Sequence, residues 1–109
     1  MQPNARLVGF NAPETRRAQC AAERELGAQA TWRVRDLVKA GGLDYEPVAC
    51  SCPEGKEGTR FCNYGRACGT LKANGRDVGD ILIAEGLAVP FKCGKTRCTK
   101  TPKPWCVTN

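Results

Sequence analysis

The chain has 109 residues, 41% of them apolar, and its 17 basic and 11 acidic side chains leave a formal charge of +6. It contains no histidine, which excludes Ser-His-Asp and Cys-His catalysis and every histidine-ligated metal site. No run of eighteen apolar residues exists, which excludes a membrane-crossing helix, and the length fits one domain over 1–109.

In chain order, Arg6-Leu7-Val8-Gly9-Phe10 reads as a short strand, ended by Asn11-Ala12-Pro13 because the residue before proline avoids the helical region. A helix is predicted over Ala21–Ala40. Leu26, Ala30, Val34, Leu37 and Val38 share one face, and Gly41-Gly42 forms the stop. Gly27 inside that helix costs about 1 kcal/mol against alanine, which points to a close approach there. Leu43–Ala49 reads as a strand, placed at an edge by Pro47. Ser51–Arg60 is a polar loop, and a strand follows near Ala67–Lys72. Asn74-Gly75 signals a turn. Asp77 caps a short helix with Val78, Ile81 and Leu82 inward and Gly86 as its stop. Leu87–Phe91 is a last extended segment, and residues 92–109 form a tail of Lys, Thr, Pro and Cys.

Leu, Ile, Val and Phe together make 19 of the 109 residues, below the roughly 20% at which charged chains drift toward disorder. The eight cysteines (Cys20, Cys50, Cys52, Cys62, Cys68, Cys93, Cys98 and Cys106) supply a staple. Such an even, high count predicts disulfides and an oxidising compartment, hence a periplasmic or secreted protein. Short loops favour partners within Cys50–Cys68 and within Cys93–Cys106, with Cys20 bridging to a later group, but 105 pairings are open. Zinc is the rival reading; the Cys50-x-Cys52 spacing lacks the two C-x-x-C knuckles of a zinc ribbon. No export signal is visible, so the chain reads as a mature or truncated form.

The basic excess is C-terminal: Gly86–Asn109 holds five basic residues and no acidic one. Such a stretch attracts phosphate polymers, or simply solvates a tail. The chemistry-bearing residues lie earlier. Arg6 is followed by Glu14 past a proline turn, and Tyr64-Gly65-Arg66 begins a later strand. Arginine forks grip phosphate oxygens and stabilise charge growing on them, and a carboxylate orients or deprotonates an attacking water. The bland alternative is a surface ion-pair set.

Arg6-Leu-Val-Gly-Phe-Asn-Ala-Pro-Glu14, Glu23 to Ala30, Tyr64-Gly-Arg66, Ala73-Asn-Gly75 and Asp77 to Ala88 resemble, in order and spacing, the thermonuclease family of staphylococcal nuclease-like domains. The resemblance runs from Arg6 to about Phe91. It implies an α+β fold, an OB-type five-stranded barrel with two to three helices, and calcium-dependent cleavage of DNA and RNA. It matches Arg6 and Arg66 to the family's phosphate-binding arginines and Glu14 to the glutamate that handles the attacking water. Tyr64 matches a residue beside the nucleotide. Asn11 stands where the family has a calcium-ligating carboxylate, and it offers one neutral oxygen. Met1–Ala5 stands where the family has an Asp-Gly-Asp-Thr strand pair that also holds the metal. The expected barrel is therefore N-terminally truncated. Its open edges predict a longer natural chain, a homodimer that completes the sheet, or sealing by the disulfides and tail. Three readings follow: a nuclease acting through Arg6, Glu14 and Arg66; a non-catalytic OB-type module binding nucleic acid or another polyanion; and a disulfide-rich interaction domain.

Overall fold

The computed structural model describes residues 5–106. Met1–Asn4, most of the stretch in place of the family's first strands, and the last three residues of the tail lie outside the described residues. Strands β1 (Arg6–Leu7), β2 (Gly9–Asn11), β3 (Leu43–Val48), β4 (Cys68–Ala73), β5 (Arg76–Asp77) and β6 (Val89–Phe91) combine with helices α1 (Ala21–Ala40) and α2 (Val78–Ala84). The result is a small α+β domain. One sheet runs β1-β4-β3 with β5 also on β4, and β2 and β6 form a separate pair.

The predicted single strand over Arg6–Phe10 is in fact two. β1 runs parallel to β4, with Arg6 opposite Cys68, whereas β2 runs antiparallel to β6, with Gly9 opposite Phe91. Gly9 sits at φ +99°, a conformation that L side chains rarely adopt, and the chain changes sheets there. That change also bears on the expected barrel. Closure requires every strand to pair on both sides. Among the described residues β1 and β3 each pair on one side only, and no closed barrel forms.

The remaining elements follow local chemistry. β3 lies at the edge that Pro47 predicted, pairing with β4 along six registers from Leu43–Ala73 to Val48–Cys68. β4 is central, and its inward residues Leu71 and Ala73 are buried. It starts and ends one residue later than read from the sequence. Asn74 and Gly75 at φ +51° and +82° turn β4 into β5, with Ala73 opposite Arg76. Asp77 caps α2, its carboxylate accepting from the Asp80 N–H at 3.0 Å. At the other end the Leu87 N–H returns to the Leu82 carbonyl at 2.8 Å.

The apolar core forms where α1 and α2 meet β4. Val78 and Leu82 are each 1% exposed, and Leu26, Ala30, Val34 and Leu37 of α1 pack there. Val38, expected on that face, is 41% exposed, one position round from the buried stripe. A second buried cluster consists of Cys50, Cys52, Cys62 and Cys68, with Val8 against it. All eight cysteines pair: Cys20–Cys106, Cys50–Cys68, Cys52–Cys62 and Cys93–Cys98. The zinc reading therefore has no thiolates to use. Among the described residues no helix is long and apolar enough to cross a membrane.

Candidate functional site

β-sheet register places the Arg6 backbone beside the segment that carries Arg66. The Arg6 N–H donates to the Ala67 carbonyl at 2.7 Å, which fixes β1 beside the start of β4. Arg66, in extended conformation, lies two residues before Cys68, the register partner of Arg6. Its Nε donates to the Asn63 carbonyl at 3.0 Å. Arg6 and Asn63 both line a cavity of about 300 Å³, together with Cys68, Phe91, Lys92 and Cys93. So Arg6 and Lys92 bring two cationic residues to the wall, and Arg66, outside it, is tied to a wall residue. No acidic residue lines this cavity. Among the described residues the ion pair present is Arg33–Glu85, so Arg6, Glu14 and Arg66 do not form the surface ion-pair set of the bland reading.

Cross-links hold the wall. Cys50–Cys68 and Cys52–Cys62 close the segment that carries Asn63 and Arg66. The Ser51 hydroxyl donates to the Gly94 carbonyl at 2.6 Å, joining that segment to the loop closed by Cys93–Cys98. The tail is thus a structural part of the cavity, through Lys92 and Cys93, as well as a basic segment.

Glu14 is placed differently. It does not line the cavity; it lies exposed on the loop between β2 and α1. Its backbone is fixed from two sides. The Glu14 N–H donates to Glu23 Oε2 at 3.0 Å. A Cβ at Gly27 would lie 2.5 Å from the Glu14 carbonyl oxygen, which is the close approach that the helical glycine signalled. Glu23 is buried, and its other oxygen accepts from the Gln19 N–H at 2.9 Å. These two backbone donors, Gln19 first and then Glu14, hold its carboxyl below the usual range; burial opposes them and Lys103 adds a smaller lowering. Glu23 is the third residue of α1, after the Cys20 cap whose sulfur accepts from its N–H at 3.5 Å. This is half of a capping box, with cysteine in the usual Ser/Thr place and the Glu23 carboxylate reaching past the cap to the Gln19 N–H.

Asn11 is engaged by the tail. Its Nδ2 donates to the Pro102 carbonyl at 2.9 Å, leaving the amide oxygen as its one acceptor. Calcium takes six to eight oxygens, roughly. Among the described residues no three potential ligands of the His, Cys, Asp or Glu type come together. Tyr64 is 84% exposed, at φ +55°, outside the cavity wall.

Sequence reasoning missed Asn63, Lys92 and Glu23. Asn63 directly precedes the Tyr-Gly-Arg run and could have been read with it. Lys92 was visible only as one tail cation. Glu23 carried the capping signal, hidden because its cap is a half-cystine. No protein-family model matches the chain, and no curated protein matches it.

Proposed function

We propose that this chain is a staphylococcal nuclease-like phosphodiesterase acting on nucleic acid, with Arg6 and Arg66 gripping the phosphate and Glu14 handling the attacking water. The observation that carries the reading is a cavity lined by Arg6 and Lys92 with no acidic residue in its wall, and with Arg66 tied to the wall residue Asn63. Two cationic residues without a counterion in a concave site, and a third beside it, suit a phosphodiester. Arginine is the residue that stabilises charge growing on its oxygens. The anchoring of the Glu14 backbone by Glu23 and Gly27 supports the role, since it fixes the position from which an exposed carboxylate meets water. On this reading the two sheets correspond to an OB-type barrel left open at β1 and β3, and the protein works in the oxidising space its disulfides favour, periplasmic or extracellular.

The test is hydrolysis of denatured DNA by the oxidised chain, with calcium and then with excess chelator. Arg66→Ala should lower turnover by about 10²–10³-fold, while far-UV circular dichroism stays unchanged. Turnover equal to wild type in that variant would overturn the assignment. A second reading, binding of nucleic acid without cleavage, is favoured by one observation: Glu14 is not in the wall of the cavity that Arg6 and Lys92 line. Retained binding without cleavage in either condition selects it.

A further inference from the structure

We propose that the disulfide-closed loop between Cys50 and Cys68 carries a base-stacking exosite for single-stranded nucleic acid, centred on Phe61 and outside the arginine cavity. The inference deepens the reading above and rests on nucleic acid being the ligand. Phe61 is 68% exposed and Tyr64 84%, the two most exposed large apolar side chains among the described residues. The Phe61 ring carries cations on it: Lys56 Nζ lies 5.4 Å from the ring centroid and Arg60 Cζ 5.0 Å. Neither cation forms an ion pair among the described residues. Of the two acidic residues in the same loop, both exposed, Glu57 is engaged by the Cys50 N–H, which donates to it at 2.8 Å, and Glu54 lies in the preceding turn.

The loop is built to hold these rings in water. Cys52–Cys62 ends directly beside Phe61, and Cys50–Cys68 closes the segment outside it. Asn63 and Tyr64 both adopt left-handed backbone, at φ +53° and +55°, which non-glycine residues rarely do. A cross-linked segment loses little further freedom on binding, so exposed rings on it are pre-organised. A base stacking on this ring would displace a cation from over it onto the neighbouring phosphate, so the site suits an aromatic ligand bearing negative charge. The same loop leads within two residues of Tyr64 to Arg66, so the rings and this arginine belong to one cross-linked segment. Bases paired in a duplex do not expose their faces to such a platform; unstacked bases do.

The experiment is fluorescence anisotropy of a labelled oligothymidylate with the full oxidised chain in chelator. Duplex DNA and inorganic polyphosphate of matched charge serve as competitors. Phe61→Ala should weaken oligothymidylate binding about tenfold, and Phe61→Tyr should restore it, with duplex and polyphosphate competing poorly. Equal binding by Phe61→Ala and wild type would overturn the exosite. So would an equal loss toward polyphosphate, which would make the loop a polyanion patch only. Phe61 is exposed, so truncation opens no core, and an unchanged melting temperature checks this. Failure of the catalytic reading shows in the hydrolysis of Arg66→Ala, whereas failure of the exosite shows in this binding ratio.

Discussion

The two ends of β4 are stabilised by different chemistry. Toward α1 and α2, large aliphatic side chains are buried: Leu82 and Val78 are 1% exposed, with Leu71 beneath them at 4%. Toward Cys68, the buried groups are four half-cystines and one partly buried valine, while Phe61 and Tyr64 face water. The first region obtains its order by removing apolar surface from water. The second obtains it from cross-links that restrict the unfolded chain, so its rings are not needed for burial. The difference explains how so few aliphatic residues suffice, and why the arginine cavity lies at the seam. Its wall takes Leu7 and Phe10 from the edge of one region and Val8 and Cys68 from the other.

The largest effects should separate the two regions. Leu82→Ala empties the centre of the apolar core and should cost about 3 kcal/mol, with helix and function lost in one transition. Replacing Cys50 and Cys68 together by alanine should cost a similar amount, about 3 kcal/mol for a closed loop of this size. Here, though, the loss is local. Circular dichroism should retain the α1 signal at temperatures where Arg66-dependent hydrolysis and Phe61-dependent binding are gone. Simultaneous loss of helix and binding in the cysteine variant would break the comparison, because the second region would then be an integral part of the first.

Gly27→Ala tests how tightly the Glu14 loop is docked on the helical region. Alanine gains about 1 kcal/mol of helix propensity. Its Cβ, however, meets a backbone carbonyl at 2.5 Å, and backbone cannot rotate aside as a side chain does. The overpacking cost of about 1–3 kcal/mol should win, for a net destabilisation of about 1 kcal/mol with Glu14 displaced. A raised melting temperature in this variant would show that the loop moves freely and that Glu14 is not held.

Where the determinants were local, the sequence was legible. The helix Ala21–Ala40, the Asn74-Gly75 turn and the Asp77 cap each depend on residues within one turn of each other. The glycine inside α1 announced a close approach, though not the carbonyl that makes it. What was not legible depends on distant partners. Gly9 divides the first strand because Phe91 pairs with it from the far end of the fold. Cys20 finds Cys106 across a separation of 86 residues, which composition allowed and could not choose. For the site, the motifs singled out Arg6 and Arg66, and register sets Arg6 opposite Cys68, two residues from Arg66. The placement of Glu14 away from the cavity depends on Glu23, which in a helix reads as one more solvated charge.

Glu23 gives the smallest and most specific prediction, because its contribution depends on pH. In the native state its carboxylate accepts from the Gln19 and Glu14 N–H groups, which holds its pKa below the ordinary value. A carboxyl with a lowered native pKa stabilises the fold fully above its unfolded value, about 4.3, and loses that contribution as pH falls through the native value. Glu23→Gln keeps one oxygen acceptor and loses the charge. Its melting temperature should lie several degrees below wild type at pH 7, and the gap should close as pH is lowered below about 4. The Cys106 sulfur lies 3.9 Å from Glu23 Oε1, so the tail is packed against the same carboxylate. A gap that stays constant from neutral to acid pH would mean that Glu23 acts by shape alone. The hold on Glu14 would then come from Gly27 and the Cys20–Cys106 bridge and not from the buried charge.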